Sequence, residues 1–417
     1  MTSARIKDAL ISALIAVILA LPLAGVRTDD GINGLVVNWR LSWVGIAAAV
    51  VFVGRLLCGW ALVHRPAALI AKITSYKSPI SLSAFSLLLI IAAVVFPLTP
   101  LASRYALDVS IMVMTYIMLA WGLNITVGYA GLLDLGYAGF YALGAYCYAL
   151  LATHVGLGFW SCLPLAGLVA VFAALLLGAP VLRLRGDYFA VVTLGFGEIV
   201  RLVLINWTGL TGGPNGIADI PRPTLFGLEF TRAAGEGRQS FSDFFHLTFD
   251  PMQRVLFLYY VILMLALAVG WFAMRLRRLP LGRAWEAFRE DEIACASLGI
   301  NRTWIKLAAY SLGALVAGMA GAFFAARQGF VSPESFTFTE SATILAIVIL
   351  GGIGHPLGIV LAAVFIIGMP ELFRGFEQYR MLAFGLGMVL IMVWRPGGMM
   401  ATREPTVKLS QQEKIQN

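Results

Sequence analysis

Residues 255–274 read VLFLYYVILMLALAVGWFAM, twenty positions without a charged side chain. Wound as a helix at about 1.5 Å per residue, this run is about 30 Å long, the thickness of the hydrocarbon layer of a bilayer. Helices in the cores of water-soluble domains are amphipathic and usually shorter, because one face meets solvent. Runs of about 18 to 22 apolar residues recur along the chain, and mean hydropathy is +0.86 with 60% hydrophobic and 12% charged residues. The sequence therefore predicts an all-α, polytopic inner-membrane helical bundle. Candidate spans fall near 9–25, 41–63, 80–96, 107–127, 131–152, 160–182, 188–207, 254–274, 306–325, 338–352, 357–373 and 380–394. That is about 10–12 transmembrane segments, some broken or re-entrant where glycine interrupts them.

Basic residues test the threading, since Lys and Arg accumulate on cytoplasmic loops. With the N-terminus inside, about 18 of the 30 fall on cytoplasmic segments, including Arg183, Arg185, Arg275, Arg277 and Arg278, against about 10 outside. Both termini are then cytoplasmic. This bias and anionic lipid account for the net charge of +8, so no nucleic acid is needed to explain it. Arg5 and Lys7 precede an apolar run of full membrane length without a small-residue cleavage site, which predicts a retained first span over a cleaved leader. Cys58, Cys147, Cys162 and Cys295 are scattered and suggest neither disulfides nor metal.

Motifs for chemistry are missing. No lysine lies in a GxxxxGK[ST] loop, no HExxH occurs, and His64, His154, His246 and His355 are far apart. Transport is the reading left for a many-spanning chain of this kind. Charge within the spans is sparse, with Arg55, Asp134, Glu198 and Arg201 the main candidates. Arg55 is expected to snorkel toward a membrane face, and Glu198 and Arg201, three apart, to share a helix face and pair. Asp134 is placed either to meet a ligand ammonium group or to cap a short helix. A transporter driven by ions would need more titratable groups at membrane depth.

Three other stretches depart from the apolar background. GRAWEAFREDEIACASLGINR, residues 282–302, gathers Arg283, Glu286, Arg289, Glu290, Asp291, Glu292 and Arg302. Trp285 and Phe288 give it apolar contacts, Glu286 and Glu290 stand four apart, and Gly299 offers a stop. On a helical wheel the charges fall on several sides, which predicts a helix enclosed by protein or broken into two short pieces. Glycines crowd 128–146 (Gly128, Gly131, Gly136, Gly139, Gly144) and 350–358 (Gly351, Gly352, Gly354, Gly358), either for close helix packing or to line a pathway. Residues 208–253, rich in Gly and Pro, form a long outer loop expected to dock a partner.

Taken in order, GLLDLGYAGFYALGAY, PVLRLRGDYFAVVTLGFGEIVR, TGGPNGI, PLGRAWEAFREDEIACASLGI, FAARQGFVSPESF, AIVILGGIG and WRPGGM resemble the branched-chain amino acid ABC transporter permeases of the LivM type. The resemblance covers nearly the whole chain. It implies an N-terminal extension over 1–100 with about three transmembrane helices, an importer permease core over 101–400 and a polar cytoplasmic tail over 401–417. It implies a non-catalytic subunit that imports leucine, isoleucine or valine, with a homologous LivH-type permease, two cytoplasmic ATP-binding subunits and a periplasmic amino-acid-binding protein as partners. ATP would be used by those subunits, with no cofactor on this chain. The shared core pattern also fits urea or amide permeases, and an ion-coupled secondary transporter is the remaining alternative. The coupling segment to the ATPases, 275–305, would use Arg283, Trp285, Glu286, Phe288, Arg289, Glu290, Asp291 and Gly299. The substrate pathway would use Gly128, Gly131, Gly136, Gly139, Phe140, Thr193, Gly195, Glu198, Gly351 and Gly352. Asp134 and His355 depart from the family pattern, so the glycines beside them carry more of this expectation than the two polar side chains.

Overall fold

A computed structural model describes residues 82–100, 102–181, 187–225, 250–372 and 398–400, the segments 26–31 and 34–39, and scattered positions within 10–53, 227–246 and 385–389. Arg55, Cys58, His64, Arg183, Arg185 and the tail 401–417 lie outside the described residues, as do most of the spans expected at 9–25, 41–63 and 380–394. The chain forms two compact units, Met1–Phe85 and Ser86–Asn417.

The first unit holds an addition to the helical expectation. Strands β1 (Val26–Gly31) and β2 (Gly34–Trp39) pair antiparallel, from Val26 opposite Trp39 to Gly31 opposite Gly34. The sequence supports a hairpin here: β-branched residues flank the turn-forming pairs Asp30-Gly31 and Asn33-Gly34.

The second unit is a helical bundle. Its helices are α1 (Leu82–Val95, whose residues from Ser86 on belong to this unit), α2 (Arg104–Leu123), α3 (Tyr137–Leu150), α4 (Phe159–Val181), α5 (Asp187–Asn206) and α6 (Pro251–Arg278). They continue with α7 (Pro280–Glu290), α8 (Glu292–Ser297), α9 (Arg302–Gln328), α10 (Phe338–Gly351) and α11 (Pro356–Ala363). Wider π turns extend α2 through Asn124–Tyr129, α3 through Leu151–Val155 and α11 through Val364–Gly368. Among the described residues five helices are long and apolar enough to cross a membrane, and α10 and α11 fall among the shorter apolar ones. The starts follow local chemistry. Ser103, Asp250 and Asn301 accept hydrogen bonds from first-turn amides of α2, α6 and α9, groups that have no partner inside the helix.

Helix α9 is the centre of the unit and the most buried of the five long helices. It packs against α2, α3 and α4 through a stripe of small residues that includes Gly313, Ala317, Gly318 and Gly321. Lipid supplies no hydrophobic drive between helices in a membrane, so close backbone approach and dispersion take its place. A methyl group on Gly318 would overlap the Ala166 carbonyl and Ala170, and one on Gly144 would overlap the Gly318 backbone. On the other side α6 lies on α2, where Gly270 leaves room for the Trp121 ring.

The expected span 131–152 starts late. Residues 130–136 are not helical, Gly131 takes φ +71°, and α3 begins only at Tyr137. Likewise α10 stops at Gly351 and α11 starts at Pro356, with Gly352 and Gly354 at positive φ between them. Beyond the far end of α5, Ile217 and Val331 form an antiparallel bridge that ties the 208–225 segment to the exit of α9.

Replacing Gly318 by Leu overpacks the centre of the unit, a change that costs about 1–3 kcal/mol. Its thermal midpoint in detergent, read by size-exclusion chromatography of heated samples, should fall by several degrees. Gly209→Ala, where a methyl group meets nothing within 4 Å, should leave it unchanged.

Candidate functional site

The charged island lies where α6 hands over to α9. Leu279 is extended, Pro280 opens α7, and Asp291 (φ −151°) stops it and caps α8 by accepting from the amides of Ile293 at 2.8 Å and Ala294 at 3.0 Å. After α8, Gly299 takes φ +85°, and Asn301 caps α9. The island is thus two short helices, one of the two arrangements its sequence predicts.

The wheel expectation needs a correction. Helix α7 has one apolar face, Gly282, Trp285 and Phe288, turned to its own bundle. Trp285 is fully buried and its indole N–H donates to the Ile305 carbonyl at 2.8 Å, which fastens α7 to the start of α9. The Lys306 ammonium lies 5.1 Å from the Phe288 ring centroid and 3.2 Å from Glu292, which Arg302 approaches at 3.8 Å. Glu286 accepts from Arg277 at 2.6 Å, and the Arg289 guanidinium donates to the Gly128 carbonyl. The partners of these charges stand on the flanking helices α6 and α9, and for Arg289 at the end of α2. Arg283, Glu290, Asp291 and Gly299 remain outward and exposed. Three apolar side chains that the sequence reading passed over stand beside them: Ile293, Leu298 and Trp304, at 66%, 82% and 68% exposure. Their position next to Gly299 and the Asn301 cap, where a chain turns outward, was the available signal.

The two glycine-rich stretches meet this island. Gly128 gives its carbonyl to Arg289, and a side chain on Gly131 would press on the same arginine. The side-chain oxygen of Asn124 accepts from the Gly354 amide at 2.9 Å, and the Trp121 indole donates to the Pro356 carbonyl at 3.0 Å. The Met399 amide donates to Leu350 at 2.7 Å, and Gly398 lies against Gly352. Gly351 packs directly on Gly358.

Between the stretches lies the break at 130–136. Asp134 is buried and accepts from the Gly136 amide at 2.9 Å, turning the chain just ahead of α3, whose N-cap is Gly136 itself. The Thr193 hydroxyl of α5 accepts from Leu135 at 3.1 Å and donates to Ala190 at 2.9 Å, and Ser341 of α10 accepts from Ala138 at 2.8 Å. Asp134 is therefore sealed into the bundle and organises the break.

The residues expected along a pathway divide into two groups. Gly136 fits against the Thr193 carbonyl and Gly139 against Gly197, while Phe140 is buried between Phe196 and Tyr310 at 5.2 and 5.3 Å. With Thr193 these form the α3–α5 contact. Gly195 and Glu198 lie on the open side of α5, where Glu198 and Arg201 pair at 3.4 Å as their spacing predicts. Tyr188, Val191, Ile199 and Leu202 are exposed on that helix too, which is the least buried of the five long ones. Among the described residues no group of three His, Cys, Asp or Glu side chains is placed to hold a metal ion.

A family model described as the branched-chain amino acid transport system permease component matches residues 105–393, and a model of a domain of unknown function matches residues 4–96. The high-affinity branched-chain amino acid transport system permease protein LivM of Escherichia coli K12 is 51% identical over 415 residues, 97% of each chain. LivM of Salmonella typhimurium is 52% identical over the same share of both chains. The LivH permease of the latter organism is 24% identical over 302 residues, 70% of this chain and 92% of its own. No solved structure matches the chain. With half of all residues identical along nearly the full length of two relatives, the chain belongs to the branched-chain amino acid transport permease family.

Proposed function

We propose that this chain is the permease subunit of an ABC importer that carries leucine, isoleucine or valine across the bacterial inner membrane. It works beside a LivH-type permease, takes substrate from a periplasmic binding protein and draws on two cytoplasmic ATPases. The identity to LivM proteins supports the substrate class. The observation that carries the coupling reading is the outward set of Ile293 on α8, Leu298 just after it and Trp304 in the first turn of α9, next to α7, whose apolar face is locked into the bundle. An exposed apolar patch rimmed by charge marks a protein-binding surface. Arg275, Arg277, Arg278, Arg302 and Lys306 flank this segment in the sequence, which supports a cytoplasmic setting for this end, and the same basic bias supports cytoplasmic termini. The chain has no phosphate-cradling loop, so ATP belongs to the partner that the patch receives.

Movement of α7 and α8 with an ATPase has two outlets. Trp285 pulls on the first turn of α9, and Arg289 pulls on Gly128, at the end of α2 and beside the break before α3. Through Asn124 the second outlet reaches the turn between α10 and α11. A push from the cytoplasm thereby shifts the ends of several helices together.

The open side of α5 supports a place for the second permease and the substrate path. Its side chains Glu198 and Arg201 are 41% and 29% exposed, and the Nε of Arg201 is buried without a hydrogen-bond partner among the described residues. A charge facing lipid at mid-membrane costs roughly 2.5–3.5 kcal/mol, so this face is read as covered by protein or open to water. In this reading Gly136, Gly139, Phe140 and Thr193 set the position of α5, and Gly195 and Glu198 face the path.

The complete transporter, with radiolabelled leucine, tests these assignments. Leu298→Asp should release the ATPases on purification, whereas Glu290→Arg should keep them bound and break the link between ATP hydrolysis and uptake. Uptake by the chain alone, driven by an ion gradient, would contradict the importer reading. Trp285→Ala removes a fully buried ring at a cost of about 3–5 kcal/mol, and residues 280–300 should then exchange amide hydrogen much faster. Glu198→Gln should lower leucine uptake about tenfold, equivalent to 1.4 kcal/mol, in a complex that still assembles; unchanged uptake would remove Glu198 from the path.

A further inference from the structure

The bundle end opposite α7 contains a half-open cavity of about 660 Å³, within the range of small-molecule sites. It opens among the exit of α3, the start of α4, the start of α6 and the exit of α9, and the segment 219–224 closes its rim. Its wall is apolar where Leu157, Phe159, Phe257 and Leu258 contribute, and three charged residues line it: Asp219, Arg222 and Arg254.

The charges are arranged for a ligand more than for stability. Arg254 is partly buried and feels the like charges of Arg222 and Arg104 and, more weakly, the opposite charge of Asp108, which is itself paired with Arg327. Neither Arg222 nor Arg254 has an ion pair or hydrogen bond with another described residue. Two neighbouring guanidiniums in a partly desolvated wall favour a carboxylate between them. Asp219 sits at φ +55°, a strained setting for a non-glycine residue. The neighbours hold it there: Ile217 bridges Val331, and the Ile220 amide donates to Gly329 at 3.1 Å.

We propose that this cavity is a receiving site for a free aliphatic amino acid, separate from the open side of α5. Arg222 and Arg254 take the carboxylate, Asp219 takes the ammonium group, and Phe257 and Leu258 meet the side chain. The assignment rests on the importer reading, which places this end on the side where substrate arrives.

The test uses the purified full-length chain in nanodiscs of phosphatidylglycerol and radiolabelled L-leucine. Saturable binding is expected, weakened at least about tenfold in Arg254→Gln and Asp219→Asn. It should be kept in Phe172→Ala on the outer face of α4. Isocaproate, which lacks the amine, and isoamylamine, which lacks the carboxylate, should compete at least about tenfold more weakly than leucine. Three results overturn the site: no saturable binding by monodisperse wild-type chain, equal binding by Arg254→Gln, or equal competition by isocaproate, which would mark a plain anion site. Phosphatidylethanolamine that abolishes leucine binding when added to the nanodiscs would also overturn it, assigning the cavity to a zwitterionic lipid headgroup. Leucine uptake by the assembled transporter without leucine binding here would reject this site and leave the importer reading standing.

Discussion

A peptide group in hydrocarbon must find a partner within the protein, because an unsatisfied one costs several kcal/mol. That constraint governs the two places where the bundle interrupts its helices. At 130–136 and the first turn of α3, the amides of Leu135, Gly136 and Ala138 are received by Thr193, Asp134 and Ser341, side chains from three different segments. At 352–355 the amide of Gly354 is received by Asn124. Each break is therefore a junction: removing the helix from the backbone forces neighbouring elements to supply its hydrogen bonds. The buried aspartate, threonine, serine and asparagine of this apolar core serve that purpose.

The junctions explain why the charged island matters. Arg289 reaches the Gly128 carbonyl, one of the groups that a π turn leaves loosely engaged, and Trp285 takes the Ile305 carbonyl near the start of α9. The island is bonded to the bundle at the end of α2 and the beginning of α9. A rigid pair of short helices attached at such points is suited to the proposed coupling role, since force on its outer patch reaches several helix ends without first bending a long helix. Glu286, Glu292, Arg277 and Lys306 stiffen it by pairing with one another across the α6–α7 and α8–α9 connections.

Packing elsewhere follows from the solvent. Between membrane helices the hydrophobic effect has little to offer, and α9 is held by the fit of its glycines and alanines against the backbones of α3 and α4. A glycine-rich sequence can serve either fit or a pathway, and most of the candidates here lie in close contact with a neighbouring segment. Gly195, with nothing near its missing side chain, is the exception that lies on an open face.

Run length and the absence of charge by themselves determined that the chain is a many-spanning helical membrane protein. Local rules determined most helix positions as well: the expected spans from 80–96 to 357–373 correspond to helices α1 to α6 and α9 to α11. The Glu198–Arg201 pair was legible because three-residue spacing puts both on one face regardless of the fold. Ordered motifs identified the family because they report ancestry and do not depend on contacts. The delayed start of α3 and the inward turn of Trp285 and Phe288 were beyond such rules. The inward turn required partners in the bundle, Ile305 and Lys306 among them, that no local pattern identifies. Which glycines pack and which stay open, and that Asp219, Arg222 and Arg254 line one cavity, were decided only by tertiary structure. Spacing along a helix is a local quantity, whereas the partner of a buried carbonyl or an arginine depends on how distant helices meet.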